Sequence, residues 1–140
     1  MEHTFEYFQI SQAAIIMHEG KCLILEFASS PGYWGLPGGR IDKGESAKVA
    51  FSRELKEEIG CTTYKNLGLV DSDIWYIERT KTSICAIISF IESNDPVILS
   101  DEHLSFAWID LHELDEYTFL WPNAKQIIKK GFEYYRLLNK

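Results

Sequence analysis

The chain has 140 residues, 46% hydrophobic and 25% charged, which suits one domain over 1–140 and excludes a wholly disordered polymer. Fourteen Lys and Arg against 21 Asp and Glu leave a net charge of −7, a poor footprint for gripping a nucleic acid polymer by its phosphates. The longest strongly apolar run, Ser83 to Ile91, falls far short of the ~18 residues that span a membrane, and Met1 to Glu6 lacks the pattern of a secretory signal, so no membrane role is expected. Three cysteines (Cys22, Cys61, Cys85) without a C-x-x-C pair argue against a disulfide or structural zinc, and a cytoplasmic location is expected.

In chain order, Phe8 to Met17 and Cys22 to Phe27 read as strands of a hairpin with a turn at His18-Glu19-Gly20-Lys21. Ala28 to Gly32 carries Ser, Pro and Gly and reads as a loop. Trp34 to Leu36 is a short strand candidate, after which Pro37-Gly38-Gly39 is expected to break regular structure. Ser46 is placed to cap a helix that runs to about Ile59, with Gly60 as its C-terminal stop. Strand candidates follow at Leu67 to Ser72, Ile74 to Glu78, Thr82 to Glu92 and Ala107 to Ile109. The last element is a helix whose stripe of Ala124, Ile127, Ile128, Gly131, Phe132, Tyr135 and Leu138 should pack on a sheet, with Pro122 in its first turn. Strands, helix, strands, helix point to an α+β or layered α/β domain with a mixed sheet.

At ~100° per residue, Glu54, Glu57 and Glu58 share about a 100° arc of the first helix. Phe51, Leu55 and Ile59 form an apolar stripe beside it, so the acidic face should border the buried one. Like charges at i+3 and i+4 each cost a few tenths of a kcal/mol, and no cation lies within the arc; Arg53 sits at its edge. A bare E-x-x-E-E is usually a solvated face. Here it follows the glycine-rich Pro37-Gly38-Gly39-Arg40 and a further carboxylate, Glu45, and crowded oxygen ligands suit a hard cation such as Mg²⁺.

From Gly39 through Glu45 to Arg53-Glu54-Leu55-Lys56-Glu57-Glu58-Ile59-Gly60-Cys61, the segment resembles the Nudix box, G-x5-E-x7-R-E-U-x-E-E-x-G-U with U a bulky aliphatic. Seven fixed positions match, a coincidence on the order of one in a million at average residue frequencies. Cys61 in the last U position is the one departure, and cysteine packs as a small hydrophobe. The resemblance implies a Nudix-type α/β/α sandwich with a mixed β-sheet and two main helices. It also implies Mg²⁺-dependent (Mn²⁺ possible) hydrolysis of a nucleoside diphosphate linked to another moiety, with a small nucleotide as substrate and a monomer or homodimer as the working unit.

Carried over, the resemblance implies Glu57 and Glu58 as principal metal ligands and the Gly38 carbonyl as a backbone ligand. Glu54 becomes a further ligand or the base that activates water, and Arg53 holds a carboxylate in place. Glu45 supports the loop–helix junction or binds metal through water, and Gly39 and Gly60 are structural. In the stretch Ser100-Asp101-Glu102-His103, Glu102 is the candidate fourth ligand or alternative base, with His103 behind it. For substrate binding, Arg40 and Tyr76 are the candidates; Lys43 and Arg79 could meet phosphate or be solvated, and Tyr33, Trp34 and Trp75 could stack on a base or be core. Two other readings are a nucleotide sensor that has kept the fold and an isopentenyl-diphosphate isomerase-like enzyme. The complete set of box carboxylates favours hydrolysis.

Overall fold

The computed structural model describes residues 3–140. The strands are β1 (Gln9–His18), β2 (Lys21–Phe27), β3 (Tyr33–Gly35), β4 (Gly38–Arg40), β5 (Lys65–Ile77), β6 (Thr82–Glu92), β7 (His103–Ile109) and β8 (Thr118–Phe119). The helices are α1 (Ala47–Ile59) and α2 (Ala124–Leu138), with a 3-10 helix at Leu111–Glu116. None of the helices among the described residues is long and apolar enough to cross a membrane.

The strands form one mixed sheet in the order β5-β6-β1-β2-β3-β8, with β4 added on β1 and β7 on β2. At its centre β1 runs parallel to β6 from Gln9↔Ile84 to Ile16↔Ile91. β1 meets β2 only at Met17↔Cys22 and His18↔Lys21, across a two-residue turn in which Glu19 and Gly20 both take positive φ. From that short junction the sheet splays, and β4 lies against the freed edge of β1.

Helices cover both faces, which is why β1 buries five consecutive residues rather than alternating. Ala13, Ile15, Ile24, Ile88 and Phe90 pack with Ile127 and Ile128 of α2. Ala14, Ile16, Leu23 and Leu25 pack on the other face with Phe51, Leu55 and Ile59 of α1. Each fully buried Leu or Ile on α1 stabilises the assembly by about 1.5–3 kcal/mol, which holds the acidic arc of the helix beside the core. The result is an α/β/α sandwich with a mixed sheet, as expected.

Several local expectations are corrected. Pro37-Gly38-Gly39 does not end regular structure, because Gly38 and Gly39 open β4 and pair with Ala13 and Gln12. A Cβ on Gly38 would collide with the Gln12 carbonyl, so glycine allows the two backbones to close. The two strands expected between Leu67 and Glu78 are one, with bulges between Asn66/Gly68 and Leu69/Asp71. Asp73 does not interrupt it, since its carboxylate accepts hydrogen bonds from Trp121 Nε1 (3.0 Å) and Asn123 Nδ2 (2.8 Å). His103 belongs to β7 rather than to a loop, and β7 begins four residues before the expected Ala107. Pro122 precedes the cap residue Asn123 of α2 instead of lying in its first turn, and Leu138 is exposed.

Candidate active site

The site is built from α1 outward. Ser46 Oγ accepts from the Val49 amide at 3.2 Å, closing the helix start, and Gly60 ends it at φ 69°. Beyond the cap, Ile59 O accepts from Ile98 N (2.9 Å) and Glu58 O from Ser100 N (3.2 Å). That segment leads to Glu102, whose carbonyl accepts from Ala28 N at 2.9 Å.

The three carboxylates on the arc differ in burial. The Glu57 side chain is 59% exposed, that of Glu54 14%, and Glu58 as a residue only 7%. Glu58 Oε1 accepts from the Gly38 amide at 2.7 Å, which ties the helix to β4. Gly39 lies flat against the Glu54 carboxyl, where a Cβ would overlap its carbon. Arg53 compensates the cluster far more than its place at the edge of the arc suggests. Its Nε and Nη2 each bond a Glu45 oxygen at 2.7 Å, and Nη1 reaches Glu54 Oε1 (2.9 Å) and Glu57 Oε2 (3.2 Å). Nη2 also reaches the Arg40 carbonyl (3.4 Å) and Asp42 Oδ2 (3.4 Å). Such a planar fork is a job for arginine rather than lysine.

Electrostatics follow from that layout. Burial pushes the Glu58 carboxyl up to about 8 against the lowering effect of the Gly38 amide, and the charges of Glu54, Glu102 and Glu57 add to the rise. Glu54 is raised for the same first reason, with Arg53 opposing and Glu57 and Glu102 adding. Glu45, locked in the Arg53 fork, is held down to about 2. The charges of Glu54, Glu57 and Glu102 all act on Glu58, and among the described residues Arg53 is the guanidinium bonded to this face, although the carboxylate oxygens do not converge within 4.8 Å of one another. A hard divalent cation fits this donor set: oxygen ligands only, with like charge in excess.

The other expected residues fall outside the cluster or at its border. His103 is buried, packs at a tilt of 40° on Phe27 (ring centroids 5.4 Å apart) and leaves Nδ1 without a partner among the described residues; burial lowers its pKa. The Arg40 guanidinium bonds Gln9 Oε1 at 2.8 Å. Tyr76 is 53% exposed on β5, on the opposite face from Trp75, which packs on Trp121. Trp34 packs edge-on against Tyr117. Lys43 and Arg79 are exposed in turns.

Two features escape a reading of the sequence. Asp110, His112 and Glu113 bring ligand atoms within 4.8 Å of one another, yet Glu113 Oε1 already accepts from the Asp110 amide (3.0 Å), and the D-x-x-E spacing marks this as a helix cap. A cavity of about 720 Å³ lies along the other flank of α1, away from Arg53 and Glu57, with Gln12, Phe51, Ser52, Tyr64, Asn66 and Leu69 in its wall. Gln12 had no signal beyond being polar in an apolar strand.

The NUDIX domain model matches residues 8–131. This chain belongs to the Nudix family and is a hydrolase of phosphoric anhydride bonds. It is 28% identical over 134 residues to the nucleoside triphosphatase NudI of Escherichia coli O139:H28, covering 84% of this chain and 92% of that one. The MutT protein of Methanosarcina mazei Go1 superposes with a TM-score of 0.76 at 26% identity over 99% of both chains. A NUDIX hydrolase from Nitrosomonas europaea gives a TM-score of 0.76 at 23% identity over 91% of this chain and 90% of its own. Members of the family generally use a divalent metal.

Proposed function

We propose that the chain, as one domain over 1–140 with its box at 39–61, is a Mg²⁺-dependent pyrophosphohydrolase of a nucleoside triphosphate or related nucleoside diphosphate derivative. Mn²⁺ would serve in place of Mg²⁺. The observation that carries this reading is the acidic face of α1, where the buried Glu58 accepts from the Gly38 amide of β4 while Glu54 and Glu57 share the Arg53 guanidinium. Glu57, Glu58, Glu54 and the Gly38 carbonyl would hold the cation. Bound there, it supplies charge neutralisation at the phosphate oxygens and acidifies a water. Glu54 or Glu102 takes the proton of the attacking water on a carboxylate oxygen, and Arg53, braced by Glu45, fixes the orientation of Glu54.

Substrate contacts are proposed for Arg40, whose guanidinium would exchange Gln9 for a phosphate, and for Tyr76, whose exposed ring would stack on a base. The similarity to a protein named as a nucleoside triphosphatase favours triphosphates. A cytoplasmic setting fits three cysteines that are free thiols. The test is release of pyrophosphate or phosphate with Mg²⁺ from nucleoside triphosphates, dinucleoside polyphosphates and nucleotide sugars, each repeated with Glu57→Gln. Turnover that is lost in the variant supports the proposal. A folded protein that binds nucleotide without turnover on any member overturns it in favour of a sensor.

A further inference from the structure

Gln12 stands out as a buried side chain that ordinary packing does not explain. It is 7% exposed, on the central strand, and its Oε1 has no hydrogen-bond partner among the described residues. An apolar residue of the same shape would avoid that cost, so the amide group calls for another reason. Its other half supplies one: Nε2 donates to the Ala47 carbonyl in the first turn of α1 at 2.8 Å, linking residues 35 apart in sequence.

The backbone of Gln12 is held on both sides. It pairs with Ile87 of β6 on one side and with Gly39 of β4 on the other. Its carbonyl lies where a Cβ on Gly38 would collide, and its partner Gly39 faces the Glu54 carboxyl. One residue therefore touches the glycine pair through its backbone and the start of the acidic helix through its side chain. The far end of α1 is held independently, by the amides of Ile98 and Ser100 on the carbonyls of Ile59 and Glu58. Ser46 caps the helix within its own segment and gives no tie to the sheet.

We propose that Gln12 is a positioning residue for the hydrolysis: its amide sets the tilt of α1 against β4, and so the place of Glu54 over Gly39. This rests on the hydrolase reading above for its consequence in rate. Glu54 lies five residues before the anchored Ile59, so freeing the start of the helix by about 10° would move Glu54 by about 1 Å at 1.5 Å rise per residue. A displacement of that size costs up to about 100-fold in rate.

The test is Gln12→Met, which keeps the volume, removes the donor and removes the unpartnered oxygen. The expected result is a thermal midpoint equal to or above wild type. Amide exchange should be faster in 47–55 but not in α2, Mn²⁺ should bind several-fold more weakly by calorimetry, and kcat should fall about 10- to 100-fold with KM within about twofold. Unchanged exchange in 47–55, or unchanged Mn²⁺ affinity and kcat, overturns the proposal. A lower midpoint with faster exchange in α1 and α2 alike also overturns it, since that is loss of packing only. Failure of the wild type to turn over any nucleotide would count against the hydrolase reading, while exchange and Mn²⁺ binding still decide the role of Gln12.

Discussion

Replacing Glu58 by glutamine should stabilise the metal-free protein while removing its activity. The Glu58 carboxyl lies near 4.5 in the unfolded chain and about 8 in the folded one. A raised carboxyl pKa means that the folded state binds its proton more tightly. Its contribution is therefore fully present below pH 4.5 and is lost as pH climbs through about 8. The full shift corresponds to about 5 kcal/mol at 1.36 kcal/mol per unit, and relaxation with water entry brings a realistic figure to roughly 2–3 kcal/mol. Glutamine keeps an oxygen for the Gly38 amide and carries no charge. For a domain of this size 1 kcal/mol moves the midpoint by about 3–4 °C, so the variant should melt roughly 6–12 °C above wild type at pH 8.5 and level with it near pH 4.5. The assay is calorimetric melting of chelator-treated wild type and Glu58→Gln between pH 4.5 and 9, followed by Mg²⁺ addition. Mg²⁺ should raise only the wild type appreciably. Parallel curves across this range would refute the reasoning, because Glu58 would then be no more burdened folded than unfolded.

Other consequences are open to measurement. Gly39→Ala puts a methyl into the Glu54 carboxyl, so activity should fall by about 100-fold or more while circular dichroism still reports a folded chain. Arg53→Lys keeps the charge and loses the fork on Glu45, which should lower kcat by roughly 10- to 100-fold; retention of wild-type rate would remove Arg53 from its bracing role. Ser46→Ala removes the cap on Val49 and should cost about 1 kcal/mol, seen as a midpoint about 3–4 °C lower in thermal melts.

How far the sequence foretells this arrangement depends on whether a feature is local. The bounds of α1 were legible because Ser46 and Gly60 act within their own turns, and the arc of Glu54, Glu57 and Glu58 follows from helix geometry alone. β4 was not legible, since Pro37-Gly38-Gly39 looks like a break until β1 pairs with it. Likewise Asp73 reads as an interruption of β5 until Trp121 and Asn123, some fifty residues later, satisfy its carboxylate. Within the site, the carboxylates carried their own signal, but the reach of Arg53 to Glu45, Glu54 and Glu57 together depended on side-chain direction. Gln12 carried no signal beyond its polarity in an apolar strand, because its partner Ala47 is chosen by the packing of α1 on the sheet.

The parallel pairing of β1 with β6 also sets a schedule for the nascent chain. Gln9 must wait for Ile84, 75 residues downstream by subtraction of the paired positions. At about 5–20 residues per second that is a delay of roughly 4–15 s during which the apolar run Ala13-Ala14-Ile15-Ile16 has its hairpin neighbour at one end and no long partner. The glycines of β4 emerge well before β6, so the edge they occupy is filled early and a foreign strand finds only the other edge free. Misassembly during synthesis should therefore concentrate on that remaining edge of β1 until β6 has emerged and paired with it.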